Sequence, residues 1–425
     1  MIKSFRSVLG NGLRVVAVEM PHLHSAELAI YLKVGGRNDP VGKSGLSHFL
    51  EHMLFRGAEN FSSSLEIEKA FEAAGGAPNA ATDADSTCFY SRLHPDCTRR
   101  GMEIFSSMLF SPLFSGIETE RRVIIEEARE DMNERGAIVT PELITSMLLW
   151  PGHPIGLPIT GYINSISSIT VDDLENHIRS YYLPERAVLT VAGPVSHKQV
   201  FSEACSVFGG WRGGESPEAV PFTKRFKSTK IALVRDSDSQ MSMQIAFEGF
   251  ARSDSRLTSL RLLRRILAGG GSSRLHLKLR EEMGVVYSVE GSIGAYDETG
   301  CFALDMATSA DSLVRSVEAT ISELKQLKSY MVPAEEIERI RRSYLFDLEF
   351  SQDSAFEMAG RYGWGELMGV VKSIEEEKLD ICSVTAEDIM RTAHLLFVPE
   401  NLRLAAAGPW KRGMKKEISG IVESL

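Results

Sequence analysis

Alternating apolar and polar positions predict strands over Leu13 to Glu19 and Ala26 to Val34, and again over Lys230 to Val234 and Met243 to Phe247. The inference rests on strand geometry, in which successive side chains point to opposite faces. After each pair the hydrophobic period lengthens to that of a helix. Each half then closes on one more strand, Ala187 to Ala192 and Leu402 to Ala407, reached from a helix that opens at a threonine. Leu9-Gly10-Asn11-Gly12-Leu13 reads as a hairpin turn ahead of the first strand. Strands grouped with long helices imply an α+β fold, a sandwich in which helices cover a sheet.

The two halves are copies. Ser168-Ile169-Thr170-Val171-Asp172-Asp173-Leu174, Pro184-Glu185 and Ala192-Gly193-Pro194 are answered 215 residues later by Ser383-Val384-Thr385-Ala386-Glu387-Asp388-Ile389, Pro399-Glu400 and Ala407-Gly408-Pro409. Near the front of each half, Ser25-Ala26-Glu27-Leu28-Ala29-Ile30 matches Ser242-Met243-Gln244-Ile245-Ala246-Phe247 at an offset of 217. Two copies of one domain explain this most simply. The join falls at the Gly-rich stretch 209–217, which predicts domains at 1–212 and 223–425 with a linker at 213–222.

A chain of 425 residues with 43% hydrophobic positions is long enough for two sizeable cores. Its net charge of −10 argues against nucleic acid and against an anionic membrane surface as partners. No apolar run approaches the roughly 18 to 20 residues of a transmembrane helix. The first residues lack a signal-peptide core, so a cytoplasmic location is expected. Cys88, Cys97, Cys205, Cys301 and Cys382 are odd in number and lack C-x-x-C spacing, as expected of free thiols in a reducing compartment.

The chemistry concentrates in His48-Phe49-Leu50-Glu51-His52. Residues three and four apart share a helix face, so His48 and His52 can offer nitrogen lone pairs to one metal, with Glu51 beside them as a base. The plainer alternative is a polar turn on an apolar helix. Leu46, Phe49, Leu50, Met53 and Leu54 make the rest of the helix apolar, so its polar groups need partners, and a metal is one. Gly45 and Ser47 are its start residues and Arg56-Gly57 its end. In the second copy the corresponding helix reads Leu262-Leu263-Arg264-Arg265-Ile266-Leu267, with Arg264 and Arg265 opposite Glu51 and His52. That copy cannot bind metal there, so the histidines serve chemistry rather than folding.

A catalytic zinc usually takes three protein ligands. The acidic segment from Glu118 to Met132 is the best source of a third. Most of its carboxylates form a solvated face, but Glu120, Ile124, Glu127 and Asp131 fall along one stripe flanked by Val123, which turns Glu120 and Glu127 inward.

These residues resemble the inverted-motif zinc peptidases related to the mitochondrial processing peptidase, insulysin and pitrilysin. The family spacing is present, since Glu127 follows His52 by 75 residues and Glu120 by seven. The resemblance implies His48, His52 and Glu127 as ligands of one zinc ion per chain, Glu51 as general base and Glu120 as a supporting carboxylate, with Glu126 the adjacent rival to Glu127. Gly75-Gly76-Ala77-Pro78-Asn79-Ala80-Ala81-Thr82 is similar to the family's substrate strand, where Asn79 and Ala80 would pair with an extended peptide. Arg280 and Tyr287 resemble the pair that orients substrate and stabilises the oxyanion, and Gly269-Gly270-Gly271-Ser272-Ser273-Arg274-Leu275 the glycine-rich segment before it. Insulysin-like members fuse four such domains; two domains here imply half of a clamshell chamber, closed by a second chain. Because metal motif and Arg/Tyr pair occupy one chain, a homodimer is expected, with a heterodimer the alternative. The implied function is a zinc-dependent endopeptidase acting on unstructured peptides or precursor segments. The competing reading is a non-catalytic or partner-dependent core subunit, a scaffold that keeps the fold without the reaction.

Overall fold

The computed structural model describes residues 2–222 and 230–425; Met1 and residues 223–229, the first seven of the expected second domain, lie outside the described residues. Strands β1 (Lys3–Val8), β2 (Arg14–Glu19), β3 (Ala26–Leu32), β4 (Asn79–Thr82), β5 (Thr87–Leu93) and β6 (Ala187–Gly193) form one sheet in the order β1-β2-β6-β3-β5-β4. Strands β7 (Ile231–Arg235), β8 (Met241–Glu248), β9 (Val286–Ala295), β10 (Gly300–Thr308) and β11 (Leu402–Gly408) form another in the order β7-β11-β8-β10-β9. Matched by their place in the chain, the two orders coincide, with β1 added at one edge. In each sheet the last strand of the copy inserts parallel to its first strand and antiparallel to its second. The repeat read from short sequence matches is thus a repeat of topology.

The matched segments owe their similarity to local geometry. Thr170 and Thr385 each cap a helix, their hydroxyls accepting from the backbone N–H of Asp173 and Asp388, while those carboxylates accept from the threonine N–H in return. Gly193 and Gly408 end β6 and β11 at φ of 150° and 138°. A Cβ there would lie 2.7 Å from Ala26 Cα and 2.4 Å from the Gln240 carbonyl oxygen, so only glycine fits.

Each sheet buries one face under helices. In the first, Leu28, Ile30, Phe89 and Leu189 meet Phe49, Phe71, Phe105 and Phe208 from the covering helices. In the second, Phe247 and Phe302 from the sheet pack on Phe397, with ring centroids 5.0 and 5.7 Å from it. β3 ends at Leu32 rather than Val34, because the Val34 carbonyl accepts from the Thr87 hydroxyl at 2.8 Å and has left the ladder.

The compact units depart from the contiguous division at 213–222. One comprises residues 1–128, 157–220 and 348–373, the other 129–156, 221–347 and 374–425. Two segments that begin 214 residues apart account for the difference. The helix Pro141–Leu149 packs on β8 and β11, and the segment from Ala355 to Trp364 packs on β3 and β6. Each sheet therefore has its second face covered from the other half of the sequence. An apolar helical face does not specify which sheet it will cover, so the sequence pattern could not reveal the exchange. At Gly363 a Cβ would stand 2.1 Å from Thr190 Oγ1, which shows how closely this backbone lies on its sheet. Among the described residues no helix is long and apolar enough to cross a membrane.

Candidate metal centre and active site

The motif helix spans Leu46–Leu54 and buries Leu46, Phe49, Leu50, Met53 and Leu54. Its start falls where expected, but neither Gly45 nor Ser47 supplies the capping group. Gly45 occupies the cap position at φ 91° without a side chain to offer, and the capping group is Asp39. Oδ2 of Asp39 accepts from the N–H of Gly45 and Leu46 at 2.7 and 3.1 Å, and Oδ1 accepts from the N–H and hydroxyl of Ser47 at 2.9 and 2.6 Å. A carboxylate at a helix N-terminus answers both the orphan N–H groups and the macrodipole. Sequence inspection missed it because the loop of residues 40–44 separates Asp39 from the helix it caps. Burial pushes Asp39 up to about 7 against the pull of these donors.

Ser47 Oγ also lies 3.0 Å from His177 Nε2, in a fully enclosed position. Burial lowers the His177 pKa to about 4, so the ring is neutral in the fold and would be protonated below about 6.5 in the unfolded chain. The unfolded state then binds the extra proton, and stability is lost as pH falls from about 6.5 toward 4. His177→Phe should flatten the decline in melting temperature between pH 7.5 and 5.5, removing a term worth about 1 kcal/mol at the lower pH. An unchanged slope in the variant would exclude His177 as its source.

The functional side chains converge on one face. His48 and His52 stand with ring centroids 4.6 Å apart, and the ligand atoms of His48, His52 and Glu127 all lie within 4.8 Å of one another. His48 Nε2 is 3.5 Å from Glu127 Oε1, and His52 Nε2 is 3.8 Å from Glu127 Oε2. His52 Nδ1 lies 2.9 Å from Glu120 Oε1, which makes Nδ1–H the donor and leaves the Nε2 lone pair facing Glu127. Burial, reinforced by the neighbouring His52, takes the His48 pKa down to about 3, so the His48 ring is neutral. Two imidazole nitrogens and a carboxylate thus face one point. That arrangement fits a divalent cation, and the His₂Glu donor set is one that zinc favours.

The acidic helix Ile117–Glu130 places Glu120, Ile124 and Ala128 inward and half-exposes Glu127. Val123, expected to flank the stripe, is exposed, and Asp131, expected on the stripe, lies beyond the helix and accepts from the Thr140 hydroxyl at 2.5 Å. Glu126 is exposed and outside the cluster. Arg56, at the end of the motif segment, lies 3.6 Å from Glu120 Oε2. Glu51 is buried and accepts a hydrogen bond from the Thr82 hydroxyl. Burial raises the Glu51 pKa, with Thr82 and His52 opposing. Thr82 had no assigned role in the sequence. It stands at the end of β4, whose Asn79 and Ala80 pair with Tyr90 and Phe89 of β5 on one side. Among the described residues nothing pairs with the other edge of β4, so Asn79 and Ala80 are placed on a strand that can accept another.

Arg280 and Tyr287 belong to the second unit, with the Arg280 guanidinium 5.1 Å from the Tyr287 ring centre and the tyrosine 80% exposed. The glycine-rich segment 269–275 follows the helix Leu257–Ala268. On that helix Arg265 pairs with Asp347 at 2.7 Å and Arg264 donates to the Gly291 carbonyl, so the positions opposite Glu51 and His52 hold packed cations. Among the described residues no second cluster of metal-ligating side chains forms.

Comparison with known proteins agrees over most of the chain. The family described as insulinase (peptidase family M16) matches residues 14–160, and the peptidase M16 inactive domain matches residues 168–344. The uncharacterized zinc protease YmxG of Bacillus subtilis is 28% identical over 418 residues, covering 96% of this chain and 98% of that protein. An uncharacterized zinc protease of Rickettsia bellii is 28% identical over 395 residues, covering 92% and 94%. Among solved structures, a protease from Helicobacter pylori superimposes with a TM-score of 0.87 at 21% identity, covering 96% of this chain and all of that one. A peptidase M16 inactive domain from Pseudomonas fluorescens gives 0.85 at 18% identity, covering 96% and 99%.

Proposed function

The chain belongs to peptidase family M16, and on that premise we propose that it is a zinc-dependent endopeptidase that hydrolyses extended, unstructured peptides. The observation that carries the reading is the convergence of His48, His52 and Glu127 within 4.8 Å, with Glu51 on the same helix turn. His48, His52 and Glu127 would hold one zinc ion per chain. When bound, zinc acidifies a coordinated water and polarises a carbonyl oxygen.

The residues supply the rest. Glu51, its pKa raised by burial, takes a proton from the attacking water at a carboxylate oxygen and delivers it to the leaving amine nitrogen. Thr82 holds that carboxylate through its hydroxyl, so the base is tied to the strand that positions the peptide. Asn79 and Ala80 would hydrogen-bond an extended backbone along the free edge of β4. Arg280 and Tyr287 would orient substrate and stabilise oxyanion charge, in a homodimer with each chain contributing a metal site. Folded proteins should be poor substrates, since strand addition requires a free backbone.

Cleavage of a quenched, unstructured peptide by the zinc-loaded protein, lost with a chelator and restored with zinc, tests the reading. Absence of turnover from protein with zinc shown to be bound, alone and as a dimer, would favour the scaffold. Glu120→Ala frees the His52 ring from its acceptor and should weaken zinc binding by about 10- to 100-fold, measured by competition with a chromophoric chelator. Undiminished affinity would mean that Glu120 does not hold the ligand in place.

A further inference from the structure

The sheet that carries β4 has a second polar feature, on the face away from the motif helix. Glu27 on β3 is only 4% exposed, and its Oε1 has no hydrogen-bond partner. Burial raises its pKa to about 7, with Arg92 pulling the other way. An unpaired buried carboxylate is costly and calls for an explanation.

The duplication supplies a control. At the offset of 217 Glu27 corresponds to Gln244, which is also 4% exposed. There the amide is satisfied, since Nε2 donates to Asp305 Oδ1 at 2.7 Å and the carbonyl oxygen accepts from the Thr145 hydroxyl. The partners come from equivalent places, with Asp305 directly across the strand pair from Gln244 as Arg92 is from Glu27. One copy closes this position with hydrogen bonds, while the other leaves a carboxylate oxygen unsatisfied.

Glu27 also lines a pocket of about 600 Å³ in the first unit. Tyr90 and Phe356 form part of its wall, with ring centroids 5.4 Å apart, and Glu72, Arg92 and Asn79 complete the polar lining. The lining sets two carboxylates, Glu27 and Glu72, against one guanidinium, Arg92, so its net charge is negative when both acids are ionised. Aromatic walls around a carboxylate suit a cation carried on an aliphatic stem, because ring faces attract the charge and the stem covers apolar surface. Asn79 places the pocket beside the free edge of β4, three residues from Thr82 and hence from Glu51. Alternate side chains of a strand added to that edge point to the pocket's face of the sheet.

We propose that this pocket is a specificity subsite in which Glu27 receives a lysine or arginine side chain of the bound peptide, about three residues from the cleaved bond. The proposal rests on the peptidase reading for its register but not for its chemistry, and binding separates the two. The probe is a set of labelled, unstructured peptides of one sequence in which lysine, norleucine or glutamate is moved position by position. Binding is measured to zinc-loaded Glu51→Gln protein, and cleavage by the wild type is mapped in parallel.

One position should prefer lysine over norleucine by about tenfold or more, with glutamate weakest, as a charged hydrogen bond implies. Glu27→Gln should bring the lysine-to-norleucine ratio close to one. Gln244 shows that an amide is tolerated at this place in the fold, and the lysine, norleucine and glutamate order in protein carrying Glu27 is informative without that variant. The absence of any position preferring lysine overturns the subsite. So does a lysine preference that persists in Glu27→Gln protein with a wild-type melting temperature. Charge-ordered binding that depends on Glu27, without cleavage, would uphold the subsite and remove the peptidase reading; cleavage blind to charge would do the reverse.

Discussion

Glu51→Gln should abolish peptide hydrolysis, lowering kcat/KM by about 10²- to 10⁴-fold, while zinc content and melting temperature stay close to those of the wild type. Glutamine keeps the size of the side chain and an oxygen that can accept from the Thr82 hydroxyl. It cannot take up a proton, so the step lost is proton transfer rather than folding or metal binding. The ligand atoms belong to His48, His52 and Glu127, and the substitution leaves them in place. The measurement is steady-state cleavage of a quenched peptide beside metal analysis of the same preparation. A variant that retains zinc and more than a tenth of wild-type activity would falsify the role given to Glu51. A variant that loses zinc would instead show that Glu51 contributes to holding the metal.

A second large effect is expected far from this chemistry. Phe247 is fully buried, 5.0 Å from the Phe397 ring and 6.4 Å from Phe302. Truncation to alanine removes most of a large apolar side chain and leaves a cavity between a sheet and its helices, which costs about 3 to 5 kcal/mol. Phe247→Leu should cost much less, since much of the volume stays filled. Urea unfolding followed by circular dichroism reads both. The transition involving the second unit should move to lower urea with little change in slope. If alanine and leucine behave alike, the three rings do not pack as a unit. The repeat places Ile30 at the position of Phe247, so the first copy fills the same site with a smaller residue.

The fold was legible where local chemistry dictates it. Thr170 and Thr385 announced helix starts, Gly193 and Gly408 marked strand ends that admit no Cβ, and the alternation in β2, β3, β7 and β8 revealed the opening strands of each copy. The two glycines answer to Ala26 and Gln240, far along the chain, whereas the threonine and alternation signals depend on residues within a few positions of one another. The metal centre was legible in part for the same reason, because His48, Glu51 and His52 lie on one helix turn. Glu120 and Glu127 stood out by their spacing within a single helix once the family resemblance named it. Asp39 escaped notice because its partners lie across a loop, and Thr82 because the sequence gives a strand hydroxyl no reason to face a helix. Asp131 left the expected stripe because it lies past the end of the helix, and Val123, expected beside the stripe, lies on the exposed side.

The amino-acid pattern alone therefore determined the duplication, the α+β character of each copy and the asymmetry that places histidines in one copy and arginines in the other. These are consequences of periodicity and residue chemistry, which act over one or two helical turns or strand repeats. Only the tertiary structure decided that Pro141–Leu149 covers the sheet of the second copy and Ala355–Trp364 that of the first, that Asp39 caps the metal-bearing helix, and that Glu27 is left unpaired while Gln244 is not. Burial and partnership arise between segments that only the folded chain brings together, and an amphipathic face or a lone carboxylate carries no address for the partner it will meet.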